Sequence, residues 1–139
     1  MTLTLHATSV CYEGQALVIT GPSGCGKSGL ALQLMAFGAT LIADDRVTLT
    51  STGNRLIASC PPSISGLIEA RFVSVLNARA APPAPVALAV DLGQTEVERI
   101  PVHRTVTWLN HEIPLLWDSK SPHLCASLLQ MLKSGRSLR

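Results

Sequence analysis

At 139 residues the chain can build one compact core but not two ordinary ones, so a single domain over residues 1–139 is expected. Hydrophobic residues make up 47% of it and charged residues 14%, a balance that excludes a disordered or coiled-coil chain. The net charge of +2, with Lys and Arg gathered only in the stretch from Lys133 to Arg139, excludes nucleic acid as an expected partner.

Leu3, Leu5 and Ala7 alternate with Thr4 and His6, the period of a half-buried strand. Gly14 then interrupts the chain before the apolar run Ala16-Leu17-Val18-Ile19, which predicts a central buried strand. From Lys27 to Phe37 the residues Leu30, Ala31, Leu34 and Met35 recur at helical spacing, and Gly38 stands where helices end. Ala39 to Ala43 predicts a second short strand that delivers Asp44 and Asp45 at its carboxyl end. Val47 to Leu49 and Leu56 to Ala58 flank Ser51-Thr52-Gly53-Asn54 and predict an antiparallel hairpin. Pro61-Pro62 breaks the chain, and Ser63 is expected to cap a short helix or turn running toward Glu69 and Arg71.

Phe72 to Leu76 predicts another strand, and the proline-rich stretch Ala78 to Pro85 an internal loop. Val86 to Leu92 is strand-like, and Thr105 to Leu109 with Glu112 to Trp117 predicts a hairpin across Asn110-His111. Ser121-Pro122 opens a final helix whose apolar stripe is Leu124, Leu128, Leu129 and Leu132, with Gly135 as its stop. The four cysteines, Cys11, Cys25, Cys60 and Cys125, are scattered without zinc-ligand spacing and are expected to be reduced thiols. The N-terminus has no basic start followed by an apolar stretch, and no run approaches a membrane span; a cytoplasmic protein without a membrane partner is expected.

One segment carries the chemistry. Gly21-Pro22-Ser23-Gly24-Cys25-Gly26-Lys27-Ser28 matches G-x-x-x-x-G-K-[ST], with a buried strand before it and a helix after it. Backbone N–H groups and the positive helix end converge there on phosphate oxygens, and glycine is required because side chains would block the approach. Lys27 supplies a mobile positive charge to the β- and γ-phosphates of ATP, and the Ser28 hydroxyl completes the coordination of Mg²⁺. Phosphoryl transfer to a protein hydroxyl also needs a group to take the proton, and Asp44 and Asp45 are placed to serve. In a parallel sheet their strand would end on the same edge as the nucleotide. Read singly, His6, Glu69 and Arg71 decide nothing.

Together, His6 ahead of the loop, the loop itself, Leu41-Ile42-Ala43-Asp44-Asp45, and Leu67-Ile68-Glu69-Ala70-Arg71 resemble the catalytic domain of HPr kinase/phosphorylase over about residues 3 to 77. The resemblance implies an α/β fold: a P-loop NTPase-like core with a mixed sheet and added β-hairpins. It implies an ATP-dependent protein serine kinase acting on the phosphocarrier protein HPr of the bacterial phosphotransferase system, with the reverse, phosphorylase, direction left open. Asp45 is then the base in phosphorylation and the acid in dephosphorylation, with Asp44 as neighbour and substitute. His6, Lys27 and Arg104 join the catalytic centre, the last carried from a later arginine segment onto Ile100-Pro101-Val102-His103-Arg104. Ser28 and Glu69 become the Mg²⁺ ligands. A hexamer, and a form consisting of the catalytic domain alone, are implied on the same ground.

The chain departs from the family pattern at Pro22, at Gly29, and at Phe72-Val73, where the family has a glycine-containing turn. Two other readings stay open on the residues: a small-molecule P-loop kinase, and a nucleotide-binding regulatory module without transfer activity. An ATP-hydrolysing transporter subunit is disfavoured, because no L-S-G-G-Q-like segment is present.

Overall fold

The computed structural model describes residues 1–135; the end of the basic stretch at Lys133 to Arg139 lies outside them. In chain order the elements are β1 (Thr2–Leu5), β2 (Thr8–Tyr12), β3 (Gln15–Thr20), α1 (Lys27–Ala36), β4 (Thr40–Ala43), β5 (Val47–Thr52), β6 (Arg55–Ser59), a one-turn 3₁₀ helix (Pro62–Ile64), β7 (Leu67–Ala70), β8 (Ser74–Asn77), β9 (Ala84–Thr95), β10 (Arg104–Trp108), β11 (His111–Asp118) and α2 (Leu124–Ser134). No described helix is long and apolar enough to cross a membrane.

Nine strands form one mixed sheet along the path β1-β5-β6-β9-β3-β2-β4, with β11 added beside β9 and β10 beside β11. β9 is its spine: it pairs antiparallel with β6 through Ala84 and Pro85, then parallel with β3, and parallel with β11 from Ala89 onward. Because side chains alternate across a strand, the apolar runs feed two cores. Leu17, Ile19, Leu41, Leu88 and Val90 face one side, where Leu30, Ala31 and Leu34 of α1 and Leu128, Leu129 and Leu132 of α2 cover them. Ala16, Val18, Ile42 and Ala89 face the other, closed by Val47, Leu49, Leu56, Ala58 and Ile113 of the curled hairpin strands. The expected α/β core with a mixed sheet and added hairpins is the architecture observed.

Both helices end as expected. Gly38, at φ 111°, donates its N–H to the Met35 carbonyl, and Gly135, at φ 74°, donates to the Met131 carbonyl. Several local expectations are corrected. The N-terminal alternation ends at Leu5, and a separate strand, β2, follows a bend at His6; its Thr8 and Ser9 are buried. Ser9 pairs its hydroxyl with the Leu17 carbonyl at 2.8 Å, which lets a polar residue sit in a core strand. After Pro61 the expected short helix or turn forms as one 3₁₀ turn, but its N-cap is Pro61 and not Ser63, and Glu69 follows on a strand.

Phe72 and Val73 are not in a strand but in the three-residue turn joining β7 to β8, closed by Val73 N–H on the Ala70 carbonyl at 2.9 Å. Tertiary position overrides β-propensity there: neither side chain has a core to enter, and Phe72 is fully exposed. The turn of the later hairpin falls at Leu109-Asn110, both at positive φ, one residue earlier than expected.

Candidate active site

β3 ends at Thr20, and the chain enters the glycine loop at once. Gly21, Gly24 and Gly26 have φ of 138°, 82° and 102°, conformations that L side chains seldom take. Gly21 also has no room for one: a Cβ there would lie 2.6 Å from Cys25 Sγ and 3.2 Å from the Gly93 nitrogen. The loop thus rests on the end of β9, and Gly93 in turn is pinned by its N–H on Asp91 Oδ1 at 2.8 Å. Lys27 is only 7% exposed, and its ammonium donates to the carbonyls of Gly21 at 2.9 Å and Pro22 at 3.1 Å. It is held across the loop by weak, exchangeable partners.

The acidic wall reaches the same edge by a route the sequence does not display. β4 is not a neighbour of β3; β2 lies between them and runs antiparallel to both. β3 and β4 therefore point the same way, and Asp44 follows β4 beside the loop. Asp44 is 8% exposed and saturated with donors. Its Oδ1 accepts Ser28 Oγ at 2.6 Å and Thr8 Oγ1 at 3.0 Å, and its Oδ2 accepts the Glu69 N–H at 2.9 Å. One carboxylate thus ties together α1, β2 and β7. Asp45 differs in every respect: it sits at φ 73°, its side chain is 72% exposed, and its Oδ1 is hydrogen-bonded to His6 Nε2 at 3.1 Å.

These walls enclose a cleft of about 550 Å³. Ser23, Gly24, Gly26, Lys27, Ser28 and Gly29 line one side, His6, Thr8, Asp44 and Asp45 the second, and Glu69 with Arg71 the third. Gly21, Pro22 and Cys25 form the underside of the loop and do not line the cleft. Among the described residues no three His, Cys, Asp or Glu side chains converge as a metal cage. Ser28 and Glu69, both lining the cleft, are oxygen donors of the kind that fit a phosphate-borne Mg²⁺, since that ion takes few protein ligands and keeps water and phosphate oxygens.

The pattern describing the HPr Serine kinase C-terminal domain matches residues 1–82. The chain belongs to the HPr serine kinase C-terminal domain family.

Relatives of this HPr serine kinase domain include the HPr kinase/phosphorylase of Bordetella pertussis, 40% identical over 79 residues, which are 56% of this chain and 26% of that protein. Another, from Aromatoleum aromaticum, is 34% identical over 115 residues, 73% of this chain and 37% of the relative. The matched segment spans about a quarter of the length of the first of these. The HPr(Ser) kinase/phosphatase structure from Coxiella burnetii superposes with a TM-score of 0.79, covering 94% of each chain at 23% identity. That likeness establishes the P-loop-containing fold.

Arg104 is set apart from the cleft. It opens β10, forms an ion pair with Glu96 and stacks 3.6 Å over the Trp117 ring. Thr8 and Arg71 are cleft residues that the reading of single positions passes over. A signal for Arg71 was present in its spacing from Glu69: residues two apart on an extended segment share a face. Thr8 had none, because its role depends on β2 lying between β3 and β4. Burial pushes the thiols of Cys11, Cys60 and Cys125 above the ordinary cysteine value, with only partial offset from the Gly14 backbone at Cys11 and the Arg46 charge at Cys60. These three stay protonated at neutral pH.

Proposed function

We propose that this domain transfers the terminal phosphoryl group of ATP to a serine hydroxyl of an HPr-like phosphocarrier protein. The observation that carries the reading is the division of labour between adjacent acids facing one phosphate loop: Asp44 buried and fully hydrogen-bonded, Asp45 exposed beside His6. An acid whose oxygens already accept three donors is a positioning group. Asp45 keeps acceptor capacity toward an incoming hydroxyl.

In this reading the loop amides and Lys27 grip the triphosphate, the Lys27 ammonium exchanging two loop carbonyls for phosphate oxygens. Ser28, oriented by Asp44, and Glu69 would hold Mg²⁺, which neutralises phosphate charge when bound. His6 fixes the rotamer of Asp45. Asp45 takes the serine proton as the serine oxygen attacks the γ-phosphorus and the bond to the leaving diphosphate breaks. Arg104, paired and stacked at a distance from the cleft, is left out of the chemistry and assigned to support of the 96–103 loop. A homo-oligomer, hexameric by family resemblance, and a cytoplasmic setting belong to the same proposal.

The test combines γ-labelled ATP, Mg²⁺ and purified HPr with the wild-type chain and Asp45→Asn. Label is expected on HPr serine with the wild type. With the variant it should fall by two or more orders of magnitude (about 10²–10⁴-fold is the usual contribution of a general base), while calorimetric ATP affinity is kept. Unchanged transfer by Asp45→Asn would remove the assignment. Phosphoryl-HPr with inorganic phosphate tests the reverse direction.

A further inference from the structure

The β7–β8 hairpin brings a second cation to the phosphate loop. Ile68 and Ala70 of β7 are buried, so Glu69 between them faces outward; Arg71, exposed at the first position of the turn that follows, lines the cleft beside it. The Arg71 guanidinium reaches over the loop: a Cβ placed on Gly24 would lie 3.9 Å from its Nη2. Among the described residues it takes part in no ion pair, those being made by His6, Arg104 and Lys120, and in no side-chain hydrogen bond. Its five N–H donors are thus uncommitted in a cleft whose other cation, Lys27, is already engaged by the loop carbonyls.

We propose that Arg71 binds the terminal phosphate of the nucleotide, acting in cis from the β7–β8 wall of the cleft. This rests on the reading above, that a nucleoside triphosphate occupies the loop. A planar guanidinium takes two oxygens of one phosphate at once, which a lysine cannot do. The loop amides hold the inner phosphates, and Lys27 reaches the β- and γ-phosphates from the loop side. Arg71 reaches the outer end, beside Glu69, where charge accumulates during transfer. Arg71 is the first residue of the turn that joins β7 to β8, and the Val73 N–H on the Ala70 carbonyl closes that turn around it.

The test is calorimetric titration of the whole chain with MgATP and with MgADP, for wild type, Arg71→Lys and Arg71→Met. Because Arg71 is exposed, the melting temperatures should coincide. Arg71→Met is expected to weaken ATP by about tenfold or more while ADP changes by less than about threefold, with Arg71→Lys between. Transfer should fall by at least about 100-fold in Arg71→Met. Equal weakening of ATP and ADP, or no weakening, overturns the assignment while leaving the phosphate loop intact. Wild-type chain that takes up neither nucleotide overturns both this inference and the reading beneath it.

Discussion

Asp44 concentrates the most structural consequence in one side chain. Its two oxygens accept from Ser28, Thr8 and Glu69 in a site almost closed to water, and buried donors left without an acceptor lose their hydration for nothing. Asp44→Asn keeps the shape but turns one oxygen into a donor, so at least one of the three donors loses its partner. The expected loss is about 1–3 kcal/mol of stability, measured by urea unfolding, together with weaker MgATP binding because Ser28 is no longer oriented. Asp45→Asn, by contrast, should leave the urea midpoint nearly unchanged, since that side chain is mostly exposed. The two substitutions thus separate a residue that builds the site from the one proposed to act in it.

At the scale of elements, the β7–β8 hairpin shows a conflict between local preference and position. Phe72 occupies φ 67° with its ring fully in water. A left-handed conformation costs a residue bearing Cβ roughly 1–2 kcal/mol, and exposure recovers nothing through burial. Phe72→Gly should raise stability by up to about 1 kcal/mol, part of the relief being returned as extra freedom of the unfolded chain. Thermal unfolding checks this, and a lower melting temperature would show that the ring makes a contact that offsets its strain. The strand predicted over Phe72 to Leu76 forms, but begins two residues late, at Ser74, for this reason: apolar, β-favouring residues were read as buried, but the register of Glu69 with Val75 puts the turn beneath Phe72. Similarly, β2 went unseen because its inward Thr8 and Ser9 break the apolar pattern, and both are satisfied only by residues 36 and 8 positions away.

For the molecule as a whole, the segment leaving β9 offers a titratable lock. Burial pushes the Glu96 carboxyl up, but the Glu98 amide, Arg104 by hydrogen bond and charge, and the Val97 amide together outweigh it and leave Glu96 below its ordinary value. A carboxylate depressed on folding stabilises at pH above its unfolded value, about 4.3, and that contribution is lost as pH falls through the folded value. Denaturation of wild type and Glu96→Gln should therefore differ more at pH 7 than at pH 3, the variant showing the flatter acid limb. An equal difference at both pH values would mean that the loop from β9 to β10 is held by packing alone, through Arg104 on Trp117.

What the residues determined by themselves was whatever depends on short range. The spelling of Gly21 to Ser28, the period of Leu30, Ala31 and Leu34, the glycine stops, and the strand carrying Asp44 and Asp45 were all legible, because loop, helix and strand preferences act over a few positions. Only the tertiary structure decided that β2 separates β3 from β4, that Asp44 is buried while its neighbour Asp45 is exposed, that Arg104 belongs to Glu96 and Trp117, and that Arg71 overhangs Gly24. These follow from pairing between strands far apart in the chain. Order of that kind is chosen by the burial of two whole sheet faces at once, and no local pattern carries it.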